Sequence, residues 1–211
     1  MPRLSLIVAG LLPLAACATR TPTAEPVTPA PGTDVVWVTG STNFNTFSCQ
    51  ATDVAVSTQA ALEEVNRTRT DGLPAVQSGA LAIPVKSLDC GNPRMNSDLR
   101  KTLAADVNPV ITFRLGEYVI LNRTEPRKVK MDGALRIGGT EQIMSVTGVV
   151  SRDANGMLRL RGERAINVRT FGIQPPRRFG GIMRVDEVVT VHFDVAVRPL
   201  IDPLGILSSI Q

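Results

Sequence analysis

The side chains best suited to chemistry in this 211-residue chain are three cysteines, Cys17, Cys49 and Cys90, and a single histidine, His192. Nucleophilic catalysis needs a nucleophile, a base and a third group that orients the base. The chain has no Gly-x-Ser-x-Gly motif, which marks the nucleophile of one large class of hydrolases. His192 and Phe193 are consecutive residues of an alternating run, so their side chains lie on opposite faces of the strand, and we expect His192 to face outward. Metal sites need clustered His, Cys or carboxylate ligands. The sequence therefore predicts no catalytic residue, no metal site and no enzymatic activity.

Cys17 follows a short apolar segment. Arg3 is positively charged, and residues 4–14 are too few to cross a bilayer core of ~30 Å, although they match the hydrophobic region of a signal peptide. The run Leu14-Ala15-Ala16-Cys17 resembles the lipobox of bacterial lipoproteins, which implies that residues 1–16 are cleaved and Cys17 is acylated. The alternative is an ordinary signal peptide in which Cys17 has no role. Because Ala18 rather than Asp follows Cys17, the resemblance implies a lipid anchor in the outer membrane of the bacterial cell envelope, facing the periplasm.

The next segment, residues 17–33, has four prolines and almost no apolar side chains. Such a segment cannot bury enough surface to fold by itself, and it predicts an extended tether that reaches up to ~50 Å. Residues 34–211 then form one domain with its own core. The net charge of +4 is mild and no basic run is interleaved with aromatics, so nucleic acid is not an expected partner.

Cys49 and Cys90 remain once Cys17 carries lipid. In an oxidising compartment, an even pair of cysteines favours one disulfide. It would close a loop of about 41 residues and contribute roughly 3–4 kcal/mol in the chain-entropy model. Two free structural thiols are the alternative.

The dominant pattern is alternation of apolar and polar residues, which is typical of strands with one buried face. Glycine-rich turns separate the runs, at Gly138-Gly139 and Asn155-Gly156 for example. The pattern predicts an all-β, antiparallel barrel of about eight strands, near 34–38, 43–56, 79–88, 109–121, 127–138, 141–152, 157–169 and 186–198.

Helix signals are sparse. Asn96 or Ser97 could cap a short helix in which Leu99 and Leu103 share one face. A second candidate is the segment 60–66, which could equally belong to a hairpin tip that runs to residue 78. The sequence therefore predicts one or two short helices.

A resemblance to a known family rests on motifs that occur in the same order along the chain. They are Trp37, the pair Ser48-Cys49, the run 83–90 ending in Cys90, the run 108–113 after the short helix, and the stretch 171–195 with its Gly-Ile-Gln-Pro-Pro motif. In this order the chain is similar to the YceI-like family. The resemblance implies an extended, lipocalin-like antiparallel β-barrel closed at one end by a short helix, in a subset of the family that carries a disulfide. It also implies an apolar ligand in the barrel, such as a polyisoprenoid or quinone-like lipid, and no further cofactor.

A barrel of about eight strands can hold one small ligand or fill itself with side chains. The residues predicted to line the interior are mainly medium-sized aliphatics, which could leave a channel: Leu81, Ile83, Val85, Ile111, Phe113, Leu115, Met131, Leu135, Ile137, Met144, Val146, Leu158, Leu160, Val191, Phe193 and Val195. The alternative is that these side chains pack against one another and leave no space.

Two further features stand outside this pattern. Arginines recur at 159, 161, 164, 169, 177, 178 and 184. They are typical of solvated outer strand faces and loops, or of a rim that meets lipid phosphates. The apolar tail after Pro199 is expected to be buried, either against the barrel or on a second copy in a homodimer.

Two functions of different kinds are compatible with these observations. The first is a non-enzymatic binding, transport or sequestration protein for an apolar amphiphile, tethered to the membrane by its N-terminal acyl anchor. The second is a structural or interaction lipoprotein with a filled barrel that docks another envelope protein.

Overall fold

The computed structural model describes residues 33–57, 79–122, 124–178 and 182–197. The predicted signal segment, Cys17 and most of the tether lie outside these residues. The same is true of the second helix candidate at 60–66, the rest of the segment up to 78, and the apolar tail after Pro199.

The described residues form twelve strands: β1 (Val35–Ser41), β2 (Thr46–Ala51), β3 (Ala55–Ser57), β4 (Ala80–Pro84), β5 (Leu88–Asp89), β6 (Val110–Ile120), β7 (Arg127–Ile137), β8 (Thr140–Arg152), β9 (Leu158–Asn167), β10 (Arg177–Arg178), β11 (Met183–Arg184) and β12 (Val188–Ala196). Ten of them form one sheet in the order β3-β4-β6-β7-β8-β9-β12-β1-β2-β5, while β10 and β11 form a separate small hairpin. Every neighbouring pair in the sheet is antiparallel.

The two edge strands of this sheet, β3 and β5, belong to chain segments that meet in space. β2 leads into β3, and β4 leads into β5 through a single 3-10 turn, Val85–Ser87. Between the two halves, the Thr52 amide donates to the Ser87 carbonyl oxygen at 3.0 Å. The ten strands therefore follow eight chain paths that curl around a common interior. The predicted all-β, lipocalin-like antiparallel fold with about eight strands is confirmed.

The sheet has two distinct ends. We call one of them the helix end. It contains the β1–β2 turn, the β7–β8 turn, the end of β9 and the start of β12. The described chain begins and stops at the other, where β1 starts and β12 finishes, and we call this the terminal end. The β8–β9 turn also lies at the terminal end.

The short helix, α1 (Pro93–Thr102), begins earlier than its predicted caps. Its N-cap is Asn92, whose side chain accepts hydrogen bonds from the amides of Arg94 and Met95. The sequence prediction of Asn96 or Ser97 as cap is wrong, because Pro93 has no amide hydrogen to satisfy and its fixed φ suits the first helical position. The side chain of Asn96 instead accepts from the Cys90 amide at 2.7 Å.

A disulfide joins Cys49 on β2 to Cys90 just before α1, as the sequence predicts. The neighbouring Asp89 carboxylate accepts hydrogen bonds from the Asn96 side chain at 2.8 Å and from the Gly91 amide at 2.9 Å. These bonds, that of Asn96 first, lower the pKa of Asp89 from its ordinary value. Their contribution to stability is therefore present at neutral pH and is lost as the pH falls through the lowered pKa. The start of α1 is thus fixed to the sheet both covalently and by hydrogen bonds.

Arg159 departs from the solvated position that the sequence predicts for it. It lies on the outer face of β9, yet its side chain is only 3% exposed. Its Nε donates to Asp194 Oδ1 at 2.5 Å, and one Nη donates to the Thr33 carbonyl oxygen at 2.8 Å. The chain preceding β1 therefore crosses this part of the outer face, which alternation within β9 cannot reveal.

Candidate functional site

The interior of the curled sheet contains a cavity of about 740 Å³. Its walls come from all eight chain paths of the sheet, and α1 lies across the helix end. Towards the terminal end, Val129, Met131 and Val146 form a second buried cluster, of which Met131 and Val146 border the cavity. This volume lies within the range of roughly 300–1,000 Å³ in which proteins hold small-molecule ligands.

Most residues that the alternation predicts as lining do border this cavity: Leu81, Ile83, Ile111, Phe113, Leu115, Met131, Leu135, Ile137, Met144, Val146, Leu160, Val191, Phe193 and Val195. Val85 and Leu158 do not. Val85 belongs to the 3-10 turn, where strand alternation no longer applies, and it is 1% exposed in the packed core beside the cavity. Leu158 is the first residue of β9, so it lies at the terminal end beyond the cavity.

Glycines on the inner face explain why two large aromatic side chains leave this space open. Gly162 lies directly across from Phe193, and a Cβ built at Gly162 would be 2.5 Å from Phe193 Cζ. A Cβ at Gly133 would be 2.5 Å from Phe113 Cζ in the same way. Each ring therefore lies over a bare stretch of the neighbouring strand and stays close to the wall.

Among the described residues, the polar side chains that border the cavity lie at one end of it. The polar side chains that border it are Thr42, Asn45, Asn92, Arg94, Asp98, Thr102, Arg164 and Asp186. They come from the β1–β2 turn, from α1 and its N-cap, from the last residues of β9 and from the segment before β12. All of these segments lie at the helix end, where Arg94, Arg164 and Asp186 are exposed to solvent. The cavity therefore has an apolar body and, beside α1, a polar mouth where these exposed side chains border it.

Sequence reasoning missed this polar mouth, since its residues lie in turns, in α1 or among the arginines. The one available signal was the position of Arg164 in β9. It is four residues after Leu160, so alternation places both side chains on the inner face. The polar residues in turns carry no such signal, because turns have no fixed periodicity.

The outer face holds His192, as its parity predicts. Its ring stacks on Trp37 with the ring centroids 4.9 Å apart, and Nε2 lies 3.0 Å from Thr39 Oγ1. The other ring nitrogen, Nδ1, lies 3.1 Å from a carboxylate oxygen of Glu163. These contacts place the imidazole on the opposite side of the sheet from the cavity.

Two further features bear on chemistry and on membranes. In the described part of the chain, no group of three or more His, Cys, Asp or Glu side chains could hold a metal ion. Among the same residues, no helix has the length and apolar character required to cross a membrane.

Solved structures provide the first comparison with known proteins. BcnA from Burkholderia cenocepacia shares 17% identity, with a TM-score of 0.59 over 78% of this chain and 96% of the other. The YceI protein of Campylobacter jejuni shares 16%, with a TM-score of 0.51 over 71% and 82%. A polyisoprenoid binding domain from Saccharophagus degradans, described as implicated in plant cell wall breakdown, shares 12%, with a TM-score of 0.53 over 76% and 90%. At these identities, the likeness shows a common fold.

Comparisons of sequence lead further. No curated protein matches this chain. The model of the YceI-like domain family, in contrast, matches residues 33–197, which include every strand and α1. This chain therefore belongs to the YceI-like domain family.

Proposed function

We propose that this protein binds one long apolar lipid, a polyisoprenoid or a quinone-like molecule, in the cavity and carries or sequesters it without covalent chemistry. The observation that carries the proposal is the cavity of about 740 Å³ with aliphatic walls. An engineered apolar void of roughly 150 Å³ is already large enough to bind benzene. A cavity several times larger, and elongated between the two sheet ends, suits a chain molecule.

The energetics favour such a ligand. Burying apolar surface gains roughly 25 cal/mol per Å², and the gain must exceed the cost of association. A long hydrocarbon chain offers more apolar surface than a compact ligand of the same polarity. Met131 and Met144 on the wall can adapt their shape to such a chain, because methionine is unbranched and flexible.

The arrangement of polar groups sets the direction of the bound lipid. The hydrocarbon part belongs at the terminal end, where Met131, Val146 and Val195 border the cavity. The polar head belongs at the helix end, among the exposed polar side chains. The description of the Saccharophagus degradans relative as a polyisoprenoid binding domain supports the same class of ligand.

The alternative is an interaction module with a filled barrel. A filled barrel would leave no internal space larger than a few water molecules, whereas this interior has room for a ligand. The binding function is therefore the better supported of the two.

Mass spectrometry of the native protein tests the proposal. The chain is purified from its own cells, extracted with organic solvent and analysed beside an unrelated lipoprotein prepared in the same way. We expect a long-chain prenyl or quinone-like species that is enriched in this protein alone. If no lipid is found and a polyprenyl alcohol added to the protein is not taken up, the proposed function is incorrect.

We also propose that the protein is anchored to the outer membrane by acyl groups on Cys17. The run ending in Cys17 supports the anchor, and the disulfide between Cys49 and Cys90 supports an oxidising compartment. The tether joins the sheet before β1, at the terminal end, so the polar mouth would lie on the side away from the point of attachment.

Replacing Cys17 with serine tests the anchor. We expect Cys17→Ser to move the protein from the membrane fraction to the soluble fraction without changing its affinity for a polyprenyl alcohol. The variant should also lose incorporation of labelled palmitate, which wild-type protein should show. An unchanged membrane fraction together with an unlabelled wild type would contradict the anchor.

A further inference from the structure

Arg164 faces the cavity, although most arginines near it in the sequence point elsewhere. On β9 it shares its face with Leu160 and Ile166, and all three border the cavity. Its partner across the β9–β12 pair is Val191, which also borders the cavity. A guanidinium group therefore projects from an otherwise aliphatic wall.

The pairing between β8 and β9 ends before this residue. β9 pairs with β12 along its length up to Asn167, but it pairs with β8 only from Leu158 to Gly162. Arg164 lies just past the last β8–β9 pair, and its side chain is exposed although its direction is inward. The guanidinium therefore lies where β9 is paired with β12 on one side but not with β8 on the other.

The described charges around the mouth provide no partner for this arginine. The described ionisable residues that border the cavity are Arg94, Asp98, Arg164 and Asp186. Asp186 accepts a hydrogen bond from Ser41 Oγ at 2.5 Å, and Asp98 is engaged in an interaction of its own. Within the described ranges, the side chain of Arg164 makes neither an ion pair nor a hydrogen bond.

We propose that Arg164 binds an acidic head group, a phosphate or a carboxylate, of the lipid in the cavity. This inference rests on the proposed function, because it assumes that a lipid chain occupies the apolar body. The guanidinium fork donates two parallel hydrogen bonds to an oxyanion, and such charge-assisted bonds are about twice as strong as neutral ones.

A pair of matched probes tests this proposal. Geranylgeranyl monophosphate and geranylgeraniol have the same chain and differ only in the head. Both are titrated into the unlipidated protein by calorimetry. We expect wild-type protein to bind the phosphate about tenfold to a hundredfold more tightly than the alcohol.

Three variants assign the preference to Arg164. Arg164→Met should remove the preference for the phosphate over the alcohol, and Arg164→Lys should keep part of this preference because the charge remains. Arg136→Met is the matched control, because Arg136 is an exposed arginine on the outer face of β7. It should keep the full preference.

The outcomes separate the two proposals. If both probes bind wild-type protein equally, or if Arg164→Met keeps the preference for phosphate, the role of Arg164 is overturned while the binding function stands. If neither probe binds wild-type protein, it is the binding function that fails.

Discussion

Replacing Met144 and Val191 together with tryptophan is expected to weaken binding of a long polyprenyl alcohol about a hundredfold and to leave the fold intact. Both residues border the cavity, from β8 and from β12. The two indole rings would occupy space that the bound chain needs. If they displace about four methylene groups, the loss is ~3 kcal/mol, which corresponds to about a hundredfold weaker binding.

The stability of the same variant distinguishes a cavity from a filled core. Extra bulk in a filled core forces neighbours apart and typically costs about 1–3 kcal/mol. Bulk placed in a cavity of about 740 Å³ has room, so the melting temperature should stay the same or rise.

The matched control is Ile143→Trp with Val188→Trp. Ile143 precedes Met144 on β8 and Val188 is the first residue of β12, and their exposed fractions are 77% and 50%. The control should bind the alcohol as wild-type protein does. Equal affinity of the cavity variant, or a marked loss of its stability, would contradict the cavity as the binding site.

Replacing Asp194 with alanine is expected to destabilise the protein by about 3–5 kcal/mol. The Asp194 carboxylate contacts Arg159 Nε at 2.5 Å and Arg161 Nε at 2.8 Å. Arg159 is almost fully buried, so removal of the carboxylate would leave a buried positive charge without its partner. The free energy of unfolding, measured by urea denaturation, reports the loss.

Arg161 provides the internal comparison. Its side chain is 54% exposed, and exposed ion pairs contribute about 0–1 kcal/mol. Arg161→Ala should therefore have a small effect. A double change, Arg159→Met with Asp194→Leu, should recover much of the stability lost in Asp194→Ala, because it removes both buried charges. A loss below about 1 kcal/mol in Asp194→Ala would show that the pair is not buried as described.

The sequence carried most of the information about the faces of the strands. Alternation placed Leu160, Val191 and Phe193 on one face and His192 on the other, and the eight chain paths follow the predicted runs. It failed at Val85, because a 3-10 turn interrupts the strand there. Parity is a local property of an extended backbone, so it is lost wherever the backbone turns.

Other features depend on what packs against a strand rather than on the strand itself. Arg159 is buried because the chain near Thr33 lies against it, which is a contact between residues 126 positions apart. The start of α1 was misplaced by a few residues because Asn92 and Asn96 are equally good caps by type. Pro93 favours the start after Asn92, and the side chain of Asn96 is occupied by its contacts with Asp89 and Cys90.

The space inside the barrel was the feature that the sequence could not decide. Composition alone fits a filled interior as well as a hollow one. Whether the interior is filled or hollow depends on where the rings of Phe113 and Phe193 lie. Both rings lie over glycines on neighbouring strands. The pairing of each ring with its glycine follows from register, which only the assembled sheet specifies.

A crystal structure of the unlipidated protein saturated with a long polyprenyl alcohol is the most direct test of the central claim. We expect continuous tubular density from Met131 at the terminal end to the polar mouth beside Arg164, with the hydroxyl group at the mouth. An interior closed by the protein's own side chains or by its apolar tail, with the alcohol absent or bound outside the sheet, would contradict the account.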